Sequence, residues 1–365
     1  MSAMQATSRA RRLAGGALAL GWLALAGAAP AAAPVPAARL DALITETLRQ
    51  QQIPAITAAA ASADGIVYSR AFGSADLENA VAATPETLIR TASIAKSLTA
   101  VAAMTLVESG KLDLDAPVQS YCPPFPPRQW PITTRELLSH TSGLRHYNPG
   151  EIESTRHYRF MADGFAIFAA DPLLFRPGSA YQYSTYGYTV VGCVIEGAAG
   201  ERFEDYVAAH VLKPAGMTHT VVDDVHDIVA HRARGYQKVD GEVKNAELMD
   251  SSYKIPGGGY VTTAEDLVRF AQALLAGRLL KPATVAQMWT PTAVSGKASY
   301  GLGFEILDGG RLVMHAGGQP GTSTVLLIAP QQHLALAVLA NMDGVQLKEL
   351  VRALAAELKF PLPPP

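Results

Sequence analysis

Ser93 and Lys96 lie three residues apart at the start of a long apolar segment that stops at Gly110. The apolar residues of this segment recur with helical periodicity, and a glycine commonly follows the last turn of a helix. Residues three apart share one face of a helix, with β-carbons ~5–6 Å apart, so the hydroxyl and the amine are expected to touch. A serine becomes a strong nucleophile when a base removes its proton, and a neutral lysine is such a base. The spacing therefore predicts an activated serine at a helix N-terminus, where the dipole adds positive potential.

A second serine–lysine pair with the same spacing occurs at Ser251 and Lys254. Such pairs are common by chance, so the surrounding sequence must discriminate between them. Pro256 and three glycines at 257–259 follow the second pair and disfavour a continuing helix. We therefore take Ser93, which has the helical pattern that Ser251 lacks, as the candidate nucleophile.

Hydrophobic periodicity and turn residues predict the elements that would position this serine. Asp64-Gly65 is a strong hairpin turn between two apolar strands, and Thr133 with Glu136 forms the capping-box pattern that begins a helix. The predicted helices cover 40–51, 93–110, 133–140, 158–170, 188–198, 203–212, 263–275 and about 345–358. The predicted strands cover 56–62, 66–72, 301–307, 311–315, 322–329 and 334–340, and 76–90 is expected to be a loop.

The two groups of strands predict the fold class. Neither group alone makes a sheet with covered faces, so we expect both to join in one antiparallel sheet. The predicted class is α+β, an antiparallel sheet flanked by helices with a mainly helical domain inserted into it. Residues 38–80 plus 255–360 would form the sheet domain, and 81–254 the inserted helical domain. Together they would make one catalytic unit, with the active site at the seam, where pockets often form.

The first 28 residues are predicted to be a secretory signal peptide. Arg9, Arg11 and Arg12 precede an apolar stretch rich in Ala, Leu and Gly, and a small-residue pattern ending at Ala28 suits a cleavage site. The stretch is too short and too weakly apolar to favour a membrane span, although an uncleaved anchor is the alternative. Its removal leaves 27 basic against 32 acidic residues and no basic patch, which argues against a nucleic-acid partner. The predicted location is periplasmic or secreted, with no stable membrane span after removal of the signal.

The chain contains only two cysteines, Cys122 in a proline-rich loop and Cys193 in an apolar helix. Export permits a disulfide, but the sequence does not place the two residues close together, so we expect free cysteines with a packing role. No CxxC, HExxH or glycine-rich phosphate loop is present, and the nine histidines show no ligand-like spacing. We therefore expect no metal and no cofactor, and a small molecule or peptide as substrate. The oligomeric state stays open.

Two further motifs follow the serine–lysine pair along the chain. With residues 93–96, the stretches 183–185 (Tyr-Ser-Thr) and 315–317 (His-Ala-Gly) resemble, in order, the three motifs of the serine β-lactamase and D-alanyl-D-alanine carboxypeptidase family, in the branch around class C β-lactamases. Weaker matches, such as 140–144 (His-Thr-Ser-Gly-Leu), extend the resemblance over roughly residues 40–345. One such motif is weakly specific, but three in this order are a strong signal. The resemblance implies a β-lactamase/transpeptidase-like fold and acyl transfer through a serine.

The resemblance also implies a role for each residue around the nucleophile. Tyr183 would share general acid and base work with Lys96. The backbone N–H groups of Ser93 and Gly318 would form the oxyanion hole, in which each donor is worth ~2.7–4 kcal/mol.

Thr185, His315 and Gly317 would line the substrate site. Thr185 stands where the family usually has asparagine, so the usual contact to a substrate amide is weakened or lost. Histidine at 315, where lysine is common, would offer a donor or a positive charge to a substrate carboxylate. The run Tyr-Ser-Thr, with Gly-Tyr one residue further on, is similar to the mitochondrial serine β-lactamase-like proteins, which act as peptidases. These departures argue against efficient β-lactam turnover more strongly than they argue against catalysis by the serine.

The sequence thus predicts an exported serine hydrolase that forms an acyl-enzyme on amide or peptide bonds, of the β-lactam or D-amino-acid peptide type. No Gly-x-Ser-x-Gly elbow occurs, which argues against an α/β-hydrolase. Two alternatives stay open. One is an esterase that uses the same serine on small acyl esters, and the other is a catalytically silent protein that binds cell-wall fragments.

Overall fold

The computed structural model describes residues 37–294 and 299–363, so the predicted signal peptide at 1–28 lies outside the described residues. The helices are α1 (Ala37–Gln51), α2 (Ala95–Glu108), α3 (Thr134–Leu138), α4 (Thr185–Ala199), α5 (Phe203–Val207), α6 (Lys213–Ala215), α7 (Ile255–Gly258), α8 (Ala264–Leu275), α9 (Pro282–Met288) and α10 (Lys348–Glu357). The strands are β1 (Ala55–Ser62), β2 (Gly65–Asp76), β3 (Val81–Ala82), β4 (Ile89–Arg90), β5 (Val221–Val222), β6 (Tyr236–Val239), β7 (Glu242–Asn245), β8 (Tyr260–Thr262), β9 (Glu305–Leu307), β10 (Leu312–Gln319), β11 (Thr322–Ala329) and β12 (Leu334–Ala340). Within these ranges no helix is long and apolar enough to cross a bilayer.

An antiparallel sheet of seven strands, in the order β3-β2-β1-β12-β11-β10-β9, organises the molecule. The hairpin of β1 and β2 turns where Asp64-Gly65 predicts it. Strand β1 pairs with β12, with Ile56 opposite Ala340, so strands from the two ends of the sequence meet in one sheet. The predicted α+β class is confirmed by this sheet and the helices around it, whereas the residue boundaries of the two predicted domains stay a prediction.

Alternate residues of the central strands divide between two apolar layers, as the pleat of a strand requires. On one face, Leu336 and Val338 of β12 belong to the layer that also contains residues of α1 and α10. On the other face, Ala337 and Leu339 join a larger layer that contains residues of α2, α4 and α8. Because α2 contacts both α4 and α7, it is buried on nearly all sides. This burial removes the side chains of its first turn from water.

Several boundaries differ from those that periodicity predicts. The stretch predicted as a helix at 158–170 is a 3-10 helix at Met161–Ile167, and the predicted strand at 301–307 is shortened to β9. The capping box of Thr133 and Glu136 is present at the start of α3, as predicted.

The segment after Ser251 contains two short helical turns and no long helix like the one that follows Ser93. It forms a 3-10 turn at Ser252–Lys254 and then the single helical turn α7. Pro256 lies in the first turn of α7, where a missing N–H leaves no helical hydrogen bond unmade.

Cys122 and Cys193 form a disulfide with their Cα atoms 5.4 Å apart, which corrects the expectation of free cysteines. The proline-rich loop packs directly on α4. The contact is so close that a β-carbon on Gly197 would collide with the carbonyl of Tyr121. The two cysteines are separated by 71 residues, so only the packing of loop on helix brings them together.

Candidate active site

The structure brings the Ser93 and Lys96 side chains together. Ser93 lies in a 3-10 turn, Ala92–Ile94, that leads directly into α2, and Lys96 is in the first turn of α2. The Nζ atom of Lys96 is 3.0 Å from Ser93 Oγ. It also donates a hydrogen bond to the carbonyl of Gly257, 2.9 Å away. The amine is therefore fixed between the candidate nucleophile and the backbone of α7.

The surroundings of Lys96 favour its neutral form. The side chain is completely buried, and this burial, with a smaller effect from the charge of Lys254, lowers the pKa of Lys96 well below its ordinary value. A neutral amine keeps one lone pair. With one N–H directed at Gly257, that lone pair is available to the Ser93 hydroxyl, which is the arrangement that a general base needs.

The turn that presents Ser93 contains a backbone conformation that costs energy. Ala92 has φ of 45°, in the left-handed region that residues with a β-carbon rarely adopt. Strand β10 packs against this turn at Gly317, where an added β-carbon would lie 2.7 Å from the Thr91 carbonyl oxygen and 2.9 Å from the Ala92 β-carbon. Glycine at 317 thus allows close packing of strand and turn. At Gly318 an added β-carbon would meet no described atom within 4 Å, so this residue borders open space.

Tyr183 completes a contiguous group with the serine and the lysine. Its hydroxyl is hydrogen-bonded to the Ser93 side chain, and its ring centroid is 4.8 Å from Lys96 Nζ. Burial raises the pKa of Tyr183 well above its ordinary value, although the bond to Ser93 opposes this. The phenol therefore remains protonated at neutral pH and is suited to relay a proton rather than to act as a phenolate base.

Thr185 is the first residue of α4 and is almost fully buried. Its side chain is hydrogen-bonded to Tyr147, and its backbone N–H donates to His146 Nδ1 at 3.3 Å. Its methyl group fills the place that a β-carbon on Gly257 would occupy. The threonine therefore supports the segment whose carbonyl holds Lys96, and its hydroxyl already has a protein partner.

His315 is buried at the inner side of β10, with both ring nitrogens bonded inside the protein. Nε2 is 2.9 Å from the Tyr300 hydroxyl, and Nδ1 is 2.7 Å from the carbonyl oxygen of Ala316. Burial, reinforced by Lys96 when that amine is protonated, lowers the pKa of His315 to about 3. A neutral ring that donates from Nδ1 and accepts at Nε2 satisfies both bonds. His315 thus offers no positive charge in this conformation, and the expected binding of a substrate carboxylate stays a prediction.

Sequence reasoning missed several residues around the nucleophile. His140 is buried, accepts a hydrogen bond from the Ser184 N–H at 3.1 Å, and packs against Tyr183 with ring centroids 4.2 Å apart and planes at 38°. The weak match at 140–144 was the only signal for it. Tyr300 had no signal. Lys254 belongs to the discounted second pair, yet it is fully buried and its charge acts on Lys96.

Comparisons with known proteins agree with this site. The Beta-lactamase family profile matches residues 40–359. The chain is 29% identical over 404 residues to the mitochondrial serine beta-lactamase-like protein LACTB of Homo sapiens, covering 80% of this chain and 74% of that protein. It is 32% identical over 244 residues to the putative penicillin-binding protein PbpX of Bacillus subtilis, covering 67% and 60%. A solved structure of SurE with D-Leu matches with a TM-score of 0.72 and 28% identity, covering 88% of this chain and 75% of that one. The chain therefore belongs to the Beta-lactamase family and is a serine hydrolase.

Proposed function

We propose that this protein is an exported hydrolase that cleaves amide bonds of the D-amino-acid peptide or β-lactam type through an acyl-enzyme on Ser93. The observation that carries the proposal is the 3.0 Å separation of Lys96 Nζ and Ser93 Oγ. Burial suppresses protonation of that lysine, so a base is in contact with the nucleophile. Export rests on the signal-peptide pattern at 1–28.

In the acylation step, Ser93 Oγ attacks the carbonyl carbon of the amide while its proton passes to the neutral Lys96 amine. The negative charge that develops on the carbonyl oxygen would be stabilised by the N–H groups of Ser93 and Gly318. The C–N bond then breaks, and the leaving amine takes up a proton relayed from Lys96 through the Tyr183 hydroxyl. An ester on Ser93 and a free amine result.

In the deacylation step, a water molecule attacks the ester carbonyl while its proton passes to the neutral Lys96 amine, directly or relayed through the Tyr183 hydroxyl. Collapse of the second tetrahedral intermediate breaks the bond to Ser93 Oγ, which regains a proton. The products are the acid and the free enzyme, so no cofactor or redox partner is required by this sequence of steps.

The substrate class is supported by the relatives and narrowed by the site. A penicillin-binding protein and a structure that contains D-Leu are among the similar proteins. His315 is neutral and internally bonded, so the residue expected to bind a terminal carboxylate supplies no charge. Among peptide substrates, this favours neutral D-amino-acid amides and internal peptide bonds over peptides that end in a free carboxylate.

The first test is the intact mass of the mature protein after brief exposure to benzylpenicillin, together with turnover of D-amino-acid p-nitroanilides. We expect either an adduct of one ligand or hydrolysis, and loss of both in Ser93→Ala. The matched control is Ser251→Ala, which changes the serine of the second pair and should behave as wild type. Activity in Ser93→Ala would contradict the proposal.

Two further measurements, on p-nitrophenyl esters and on muropeptides, separate the alternatives. The engaged Thr185 hydroxyl favours the esterase alternative, because the amide contact usual at this position is missing. Rapid turnover of p-nitrophenyl esters with none of the D-amino-acid amides would identify an esterase. Calorimetric binding of muropeptides with neither adduct nor product would identify a silent binding protein.

A further inference from the structure

Three potential metal ligands, His157, Asp224 and His226, converge on the protein surface in the described part of the chain. One ligand atom of each residue lies within 4.8 Å of the other two. His157 precedes the 3-10 helix at 161–167, whereas the other two residues follow β5. None of these residues takes part in the proposed hydrolysis, and their spacing along the chain does not match a metal-ligand motif.

One of the histidines is already oriented in the way that metal-binding histidines usually are. The Nδ1 atom of His157 lies 2.9 Å from Oδ2 of Asp250, whose side chain is only 5% exposed. The other oxygen of Asp250 accepts a hydrogen bond from the Ser252 N–H at 2.7 Å, so the carboxylate is fixed. A carboxylate at Nδ1 holds the ring proton there and leaves Nε2 with a free lone pair. The buried Asp250 carboxylate therefore supports a metal site independently of the convergence of the three ligands.

The second histidine faces the first. The His157 and His226 rings have centroids 4.6 Å apart and planes at 88°. Asp224 Oδ1 is 3.3 Å from His226 Nδ1 and accepts from the His226 backbone N–H at 2.8 Å, which fixes the carboxylate between the two loops. Zinc binds histidine nitrogen and carboxylate oxygen at ~2.0–2.2 Å. The side chains of His157 and His226 are 39% and 66% exposed, so small rotations can bring their nitrogens to those distances.

We propose that His157, Asp224 and His226 bind a divalent transition metal of the zinc class, with Asp250 as the partner that orients His157. Two imidazoles and one carboxylate are a ligand set that zinc accepts, whereas calcium and magnesium prefer oxygen ligands alone. Solvent completes the coordination, since the site is on the surface.

The proposed metal joins two loops that border one cavity. Thr155, Val225 and Asp250 all line this cavity, which has a volume of about 540 Å³. Asp250 also begins the segment that continues through Lys254 to Gly257, the acceptor of the Lys96 hydrogen bond. A metal that binds only the folded chain stabilises it by an amount that grows with the logarithm of metal concentration once that concentration exceeds the Kd. Metal binding is therefore expected to raise the Tm. This inference does not depend on the proposed hydrolysis.

The test uses the untagged mature protein, stripped of metal with a chelator that is then removed. Titration with Zn²⁺ in a calorimeter should show one site, Co²⁺ should give visible absorption bands of a nitrogen–oxygen site, and Zn²⁺ should raise the Tm. His157→Ala and His226→Ala should abolish stoichiometric binding. Asp250→Asn should weaken Zn²⁺ by ~10–100-fold, as expected for loss of an outer partner of a ligand histidine.

The matched control is His231→Ala. This histidine is in the same stretch of chain, is similarly exposed and faces Glu86 at 3.9 Å, but among the described residues it does not belong to a convergent group of three ligands. Its loss should leave Zn²⁺ affinity unchanged. Without metal, His226→Ala should share the wild-type Tm, because this histidine is mostly exposed, and this excludes misfolding as the cause of its lost binding. Absence of one-to-one binding in the wild type, or binding that survives both His157→Ala and His226→Ala, overturns the proposal.

Discussion

Burial of the Lys96 amine favours the neutral form that a base requires, and the same burial makes catalysis sensitive to acid. Because the folded-state pKa of Lys96 is lowered, the amine is neutral above that pKa and becomes protonated as the pH falls through it. A protonated amine has no lone pair for the Ser93 hydroxyl. We expect the acylation rate to fall on the acid side for this reason, which single-turnover acylation measured between pH 5 and 9 will show.

Replacing the base tests its role directly. Lys96→Met keeps a long side chain in the buried site but removes the proton acceptor, so acylation should slow by ~10²–10⁴-fold, the usual contribution of general base catalysis. The protein should remain folded, because the substitution removes a buried polar group. Lys213→Met, at an exposed lysine, is the control. Wild-type acylation by Lys96→Met, in the same single-turnover assay, would rule out this lysine as the base.

Lys254 is a second buried amine, and among the described residues its Nζ has no hydrogen-bond partner. Its nearest aromatic neighbours are Tyr147 and Tyr253, with ring centroids 5.3 and 5.5 Å from Nζ. Burial lowers the pKa of Lys254 from 10.5 to about 7. Between those two pH values Lys254 is protonated in the unfolded chain and neutral in the folded chain. Stability should therefore rise with pH across this window, by about 1.4 kcal/mol per pH unit.

Lys254→Met should remove this dependence of stability on pH. We expect urea unfolding to show a more stable variant at pH 7, with a smaller gain between pH 7 and pH 9.5 than the wild type shows. Lys213→Met should keep the wild-type slope. A Lys254→Met protein that is less stable at pH 7 would mean that the amine has a stabilising partner. A gain in stability accompanied by a loss of turnover would mark Lys254 as a residue retained for activity.

At the scale of elements, the contact between β10 and the turn before α2 positions the nucleophile. Gly317→Ala would place a β-carbon against Thr91, Ala92 and the Thr324 hydroxyl, so strand and turn must separate. We expect a loss of ~1–3 kcal/mol of stability, typical of overpacking, and slower acylation. Chemical denaturation and the mass assay measure the two effects.

The neighbouring glycine provides the matched comparison. A β-carbon at Gly318 meets no described atom within 4 Å, so Gly318→Ala should keep wild-type stability. Equal stability of the two variants would show that the close approach at Gly317 is not required. The helix that follows this turn is buried on nearly all sides, so a shift of the turn cannot be absorbed by free movement of α2.

At the scale of the whole molecule, the disulfide links the proline-rich loop to α4 across 71 residues of chain. Closing a loop of that length lowers the entropy of the unfolded chain and typically stabilises a protein by ~2–4 kcal/mol. The double variant Cys122→Ser with Cys193→Ser should lose about that much stability in urea, while Ser93 acylation persists in the folded fraction. If reduction of the wild type leaves the urea midpoint unchanged, the link is not present in solution.

Features that depend on neighbours along the chain could be predicted from the amino-acid sequence. The helical pattern after Ser93 and the spacing to Lys96 predicted a contact that the structure contains, because residues three apart on a helix share a face. Alternating apolar strands and the Asp64-Gly65 turn predicted the hairpin and the antiparallel sheet. The order of three short motifs predicted the family, which the match over residues 40–359 confirms.

Tertiary structure alone decided the features that depend on residues far apart in the sequence. The neutral state of Lys96 requires burial under α4 and the Gly257 carbonyl, 161 residues away. The charge state of His315 depends on Tyr300 and on burial, neither of which a His-Ala-Gly pattern encodes. The disulfide likewise needed packing that no local pattern records. Spacing predicts which side chains share an element, whereas burial and long-range contacts set their protonation and partners.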